Sequence, residues 1–331
     1  PGSIPNKPTS IKVKSTRSGE AAYETTTTFA YNTKAQLTNK VEFSGLTSSV
    51  TTTYGYNTLG NLTTTTISAP GVSNRSVSSI FDTKGRYPIE NTNEMGYKST
   101  TQYDSKWGVP TETKGIDDIT TTFEYDAFGR LKKTNYPEGF STNHTYHWDI
   151  GNNQRFYTQS ATSGKPTVKT WYDMLGRETK SETEAFNSGW ITQVTTYDGK
   201  GNVASSTEPY KSGESYITTT YGYDAYNRQS SINQGALGTT TLAYSYSGGK
   251  LTVTSTAPVG TTSKTTDAAS MLTSATDNGG TLNYTYYSHG GLKNVVNGGV
   301  TLTINEYDAY ARQKKLIDIN AGTTQYEYNA L

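Results

Sequence analysis

Aromatic and polar residues alternate along this chain with a period of two, in short runs broken by Gly, Asn or Asp. In TTFEYDAFGRLKKT, residues 121–134, Phe123 and Tyr125 share one face of an extended segment, and Asp126 to Gly129 interrupt it before Leu131 resumes. An aromatic recurs in this leading position at Phe29, Tyr54, Phe123, Tyr221, Tyr244, Tyr284 and Tyr326. Residues i and i+2 of a strand point the same way, so these positions predict aromatic rows across neighbouring strands. Nothing repeats at the helical period. The nearest candidate, TTDAASMLTSATD at 265–277, falls in phase with the other breaks and reads as strand, turn, strand.

The breaks form a repeat. Taking the Tyr of YDAFGR as marker, equivalents stand at Tyr31, Tyr56, Phe81, Tyr103, Tyr125, His147, Tyr172, Tyr197, Tyr223, Tyr246, Thr266, Tyr287, Tyr307 and Tyr328, about 20 to 26 residues apart. Asp or Asn follows in most copies, as in Asp126, Asp173, Asp198, Asp224 and Asp308. Gly comes four residues after the marker at Gly60, Gly85, Gly129, Gly151, Gly176, Gly201 and Gly291. Asp or Asn can bond its own backbone to start a turn, and Gly supplies the positive φ that closes it. Each copy therefore predicts a hairpin with a four- or five-residue loop. A second, looser turn is expected at YPEGF (136–140), NSG (187–189), DNGG (277–280) and NAG (320–322). Copies at 246, 266 and 287 lack Asp, Gly or Arg and predict irregular hairpins.

Composition narrows the class. Tyr numbers 27 against 8 Phe and 4 Trp, and only 32% of residues are hydrophobic, so the core must rest on Tyr rings and Thr more than on Leu or Ile. Lys and Arg (29) nearly cancel Asp and Glu (28), which leaves no basic footprint for nucleic acid. No apolar run approaches a membrane span, and the first residues do not form a signal peptide. There is no cysteine for a disulfide, thiolate nucleophile or Cys-ligated metal.

Tyr-Asp-x-x-Gly-Arg-Leu at this period resembles the YD repeat of the RHS-repeat family. The stretch from Asn93 to Trp148 reads like two consecutive family repeats, and the resemblance spans essentially the whole chain. The family includes bacterial RHS proteins, insecticidal toxin-complex B and C subunits and animal teneurins. The resemblance implies an all-β fold: a repetitive antiparallel hairpin meander forming a long curved or spiralling sheet, a YD-repeat shell or partial cocoon. It also implies a secreted or surface-associated bacterial protein that encloses and delivers a C-terminal polypeptide effector. The implied partners are the rest of the chain's own longer polypeptide and that effector. The division expected is a lead-in at 1–22, with a cloning scar at 1–3, then an array of about fourteen hairpins at 23–331. No Asp-Pro of the family's self-cleavage motif occurs, and the last copy stops short of its Gly, so a segment of a longer protein is expected.

The chemistry-bearing residues weigh towards structure. A catalytic reading of Tyr125, Asp126, Gly129 and Arg130 competes with their recurrence as Tyr56/Gly60, Tyr172/Asp173/Gly176/Arg177, Tyr197/Asp198/Gly201, Tyr223/Asp224/Arg228 and Tyr307/Asp308/Arg312. An enzyme needs one preorganised site, whereas a scaffold needs many equal turns. Arg86, Arg130, Arg177, Arg228 and Arg312 are expected to bond neighbouring Asp or backbone groups. His144 and His147 lie an odd number apart, on opposite faces of a strand, which does not suit a metal. The pairs Asp117/Asp118 and Glu182/Glu184 are the densest carboxylates. No catalytic residue, cofactor or metal is expected. The alternative function is a carbohydrate- or receptor-binding surface, with Trp171 and Trp190 as stacking platforms.

Overall fold

A computed structural model describes residues 7–148, 156–186 and 188–329. Thr, Tyr and Val fill the runs between turn residues, and each run becomes a strand of two to nine residues, from Ser10–Ser15 to Gly322–Gln325. The strands form one 29-stranded sheet. Almost every strand pairs antiparallel with the next in the chain, so the fold is an open hairpin meander. The interruption lies at Thr207, whose hydroxyl accepts the amide of Val194 and splits one strand into Val203–Thr207 and Tyr210–Lys211, both paired with Trp190–Tyr197. Among the described residues the only helical turn is the 3₁₀ segment Gly235–Leu237. The expected lead-in contributes the first strand, Ser10–Ser15, paired along its length with Tyr23–Tyr31.

This sheet has hardly any apolar core. Among the described residues Trp171 and Ala185 are the buried apolar ones, against five buried polar residues, Thr52, Thr134, Thr142, Thr207 and Asn305. The chain exposes 20688 Å², about 1.5 times the roughly 13,300 Å² of a compact monomer of 36.0 kDa. A single layer open on both faces gives that excess. Cross-strand hydroxyl pairs take over part of the cohesion: Thr142 with Thr162 (2.6 Å), Thr196 with Ser205 (2.6 Å) and Thr252 with Thr265 (2.8 Å).

The hairpin positions hold, with corrections in the marker series. A bulge precedes the marker in most copies, as between Glu124 and Tyr125. Near 287 it falls between Thr285 and Tyr286, so Tyr286 is the marker, Tyr287 takes the Asp position, and the positive-φ residue is Gly290 rather than Gly291. At 246 the loop shrinks to Gly248–Gly249, both at positive φ, which pairs Ser247 directly with Lys250. The copy at 266 keeps the ordinary turn despite its lost Gly and Arg, with Ser270 at φ 61° in the Gly position. Gly151 lies outside the described residues.

The second turns also differ from expectation. Several are as defined as the first: Tyr136 N–H donates to Phe140 O (3.0 Å) and Gly139 N–H to Tyr136 O (3.1 Å), the pattern of the YD turn. In the last third they tighten to two residues, as where Asp277 pairs Gly280 and Asn297 pairs Val300. That tightening is why the period shortens there.

Candidate functional site: the repeated turn, the ladder and the seam

The YD motif builds a five-residue loop with a left-handed fourth residue, a type I turn closed by a bulge. Asp126 N–H donates to Arg130 O (2.9 Å), and Gly129 N–H donates to Asp126 O (3.0 Å). Asp126 Oδ1 accepts the amides of Phe128 and Arg130, and Oδ2 accepts Arg130 Nε at 2.7 Å. Desolvation works to raise the Asp126 carboxyl, but those amides and the guanidinium overrule it and hold it below the usual carboxylate range. Asp173 with Arg177, Asp224 with Arg228 and Asp308 with Arg312 repeat the arrangement. In Asp198 the partner is Asn202, at 3.0 Å. Tyr56 precedes an Asn57 turn whose Oδ1 takes Leu59 and Asn61 amides. Gly60, Gly129, Gly176 and Gly201 all sit at positive φ.

The arginine also reaches forward. Arg130 Cζ lies 4.4 Å from the ring centroid of Tyr146, Arg177 4.2 Å from Tyr197, Arg228 4.1 Å from Tyr244 and Arg312 4.8 Å from Tyr328. Each of those tyrosines donates its hydroxyl back to the residue that follows the arginine: Tyr146 to Leu131 O (3.0 Å), Tyr197 to Glu178 O (2.8 Å), Tyr244 to Gln229 O (2.8 Å) and Tyr328 to Gln313 O (2.7 Å). Tyr56, Tyr125 and Tyr223 make the same bond to Leu37, Pro110 and Val203. The aromatic row is therefore a ladder of Tyr rings interleaved with guanidinium groups. It also shows that Tyr146, not His147, is the marker of its copy, and that Tyr244 does the marker's work ahead of Tyr246.

Ends of the ribbon far apart in sequence meet along a seam. The turn between Ser10–Ser15 and Tyr23–Tyr31 faces the turns at 267–271 and 287–291. Arg17 pairs with Asp267 (3.0 Å), Glu20 with Lys293 (2.6 Å), and the Tyr23 ring meets His289 edge-on at 5.3 Å. One hairpin further on, Phe43 packs on Tyr310 (5.2 Å), and Ser48 N–H donates to Tyr310 Oη at 2.9 Å. Hydrogen bonds from Ser48 and Thr47 hold that phenol below its ordinary value. Burial among Tyr23, Tyr287 and Tyr307 pushes His289 down, and its Nδ1 accepts Gly291 N–H at 3.0 Å. The edge carrying the YD turns thus touches the opposite edge of a stretch some 250 residues earlier in the chain. Nothing in the residue pattern announces this contact, because neither Arg17 nor Tyr310 stands out among residues of its kind.

The remaining candidates are dispersed and satisfied locally. His144 bonds Ser160 (2.9 Å), and His147 bonds Thr145 (3.0 Å) and stacks on Tyr157. Asp117 takes the Ile119 amide, Asp118 pairs with Lys114, Glu182 with Lys180, and Glu184 takes the Thr167 amide. Among the described residues no three His, Asp or Glu gather into a metal-holding group, and no helix is long and apolar enough to cross a membrane. Trp171 is 6% exposed, with Tyr157 stacked on its ring and Lys180 Nζ 3.6 Å from the centroid, so it has no open face for a sugar. Trp190 carries Lys169 Nζ at 4.1 Å.

No family model matches the sequence, and no curated protein matches it. Solved structures do. A crystal structure of TcdB2-TccC3 superposes with a TM-score of 0.71 at 12% identity, covering 91% of this chain and 22% of that one. A second, TcdB2-TccC3-TEV, gives 0.58 at 12% identity, over 95% of this chain and 19% of that one. The chain thus spans about a fifth of the length of these structures. The likeness shows a shared fold, the hairpin ribbon that the resemblance to YD-repeat proteins implied.

Proposed function

We propose that this chain is a non-catalytic wall segment of a YD-repeat shell that encloses a polypeptide. One observation carries the reading: a sheet one layer thick, with almost no core of its own, closes edge on edge through the seam. A ribbon that seals its own edges makes a wall, and a wall with so much free surface has a use when something lies behind it. The turns serve the wall as equal joints. Near-zero net charge lets an unfolded or partly folded cargo lie inside without being gripped. The fold shared with TcdB2-TccC3 supports the same reading. On this reading the partners are the rest of the chain's own polypeptide and an enclosed effector, and the parent protein is secreted or surface-attached in a bacterium.

The test is protease protection in the natural polypeptide that carries this segment. A fragment outside the repeat array should survive digestion while the wall is intact and be degraded once Arg17→Ala opens the seam. Equal degradation in both forms would remove the enclosure reading. A glycan-binding reading now draws on Trp190 alone, and calorimetry with Trp190→Ala addresses it.

A further inference from the structure

The YD turns that meet the N-terminal hairpins include two of the three degenerate copies, those at 266 and 287. At 267–271 Asp267 is present, but Met271 stands where five other copies carry arginine, at 86, 130, 177, 228 and 312. Arg17 approaches from the other edge of the ribbon. Its Nη1 lies 3.0 Å from Asp267 Oδ2, its Nη2 2.9 Å from Met271 Sδ, and its Cζ 5.5 Å from the Tyr286 centroid. Tyr286 in turn donates to Leu272 O at 2.8 Å. These are the contacts an arginine makes inside an intact copy: Arg177 holds Asp173 and covers Tyr197, which donates to Glu178 O. The side chains of Arg17 and Asp267 are 27% and 18% exposed, close to the 30% and 13% of Arg177 and Asp173.

We propose that the Asp267 turn is a deliberately incomplete motif, that Arg17 is its missing arginine, and that this completion fixes where the ribbon closes on itself. An array of near-identical hairpins is prone to slip, because one joint offers an edge much the same surface as the next. Asp104 and Asp198 also lack an arginine partner, but the turns on either side of Asp267, at 247–250 and 287–291, offer no Asp, so a slip by one hairpin leaves Arg17 without a carboxylate. Shifted onto an intact turn, Arg17 would meet a carboxylate already neutralised by its own arginine, next to a like charge. The neighbouring turns follow the same rule. At 287–291 both Asp and Arg are missing, and polar and aromatic groups cross the seam there, as Glu20 to Lys293 and Tyr23 to His289. The intact Asp308–Arg312 turn keeps its pair and meets the far edge through Tyr310 at its tip.

The test is a mutant cycle on the whole chain. Arg17→Ala should lower the Tm by about 1–2 °C, the shift of one such contact in a chain this long. In a Met271→Arg background, where the turn has its own arginine, the same substitution should shift Tm by nothing measurable. Hydrogen exchange at Ser48, whose amide crosses the seam to Tyr310, should quicken in Met271→Arg while residues 125–135 stay protected. An undiminished Tm loss on Arg17→Ala in the Met271→Arg background, or an unchanged Ser48 rate, overturns the proposal. Should Met271→Arg fail to fold, Arg17→Lys decides. A lysine cannot bridge carboxylate, thioether and ring as the planar guanidinium does, so Ser48 exchange should quicken, and wild-type protection would overturn the proposal.

Discussion

The guanidinium of Arg177 lies over the ring of Tyr197, 4.2 Å from Cζ to centroid, and Tyr197 returns its hydroxyl to the carbonyl of Glu178, the residue after that arginine. The loop so closed joins two successive hairpins by side chains in addition to the strand ladder. Because ring and guanidinium hold each other in place, their contributions should not add. Arg177→Ala and Tyr197→Phe are each expected to lower the Tm by about 1–2 °C, and the double variant by less than the sum. Thermal melts of the three variants check this.

Glycine matters at these turns in two separable ways. A Cβ at Gly176 (φ 76°) meets nothing within 4 Å, so Gly176→Ala should cost only the left-handed backbone, roughly 1–2 kcal/mol. At Gly129 (φ 77°) a Cβ would also come 2.8 Å from Trp107 Cδ2. Gly129→Ala should therefore destabilise more than Gly176→Ala, and Gly129→Val more again, with any binding activity otherwise intact. Denaturant melts of the pair measure the difference.

Where a copy lacks Gly the turn keeps its shape at a cost. Ala311 sits at φ 60° in the position that Gly129 holds in its own copy. Ala311→Gly relieves that conformation and should raise stability by about 1 kcal/mol, net of glycine's greater chain entropy. A fall in Tm would contradict it.

Acid should loosen the molecule in two stages. His289 and His144 are pushed below their ordinary value by burial, so the folded chain binds their protons less readily than the unfolded one. Their contribution is complete above about pH 6.5 and is lost as pH falls from there towards their folded values. The turn carboxylates Asp82, Asp126, Asp173, Asp224, Asp267 and Asp308 are all lowered. Their contribution is complete above about pH 4 and is lost as pH falls through their folded values. His289→Asn keeps an acceptor near the Gly291 amide without the titration, and should shrink the upper stage only. Tm measured from pH 8 to pH 3 separates the two.

Much of this was legible because it is local. The bonds from Asp126 to Phe128 and Arg130 span at most four residues, so turn chemistry in the sequence announces each hairpin before any tertiary contact exists. Marker assignment failed where two rings adjoin, at Tyr146–His147 and Tyr286–Tyr287. Sequence offers both, and only the reach of a hydroxyl to a carbonyl 14 or 15 residues back picks one. Trp171 illustrates the same limit. Its role depends on Tyr157 and Lys180 arriving from the two neighbouring strands, which its own flanking residues do not specify.

The all-β class, the period, the order of the hairpins and the Asp–Gly–Arg turn are written in the residues themselves, since each follows from hydrogen bonds within a few residues. That Arg17 stands beside Asp267, and Tyr310 against Phe43, follows from the assembled sheet. Those pairings, 250 residues or more apart, depend on the twist and curvature added strand by strand along the whole ribbon. No single residue encodes that sum, so the seam comes into view only once the sheet is built.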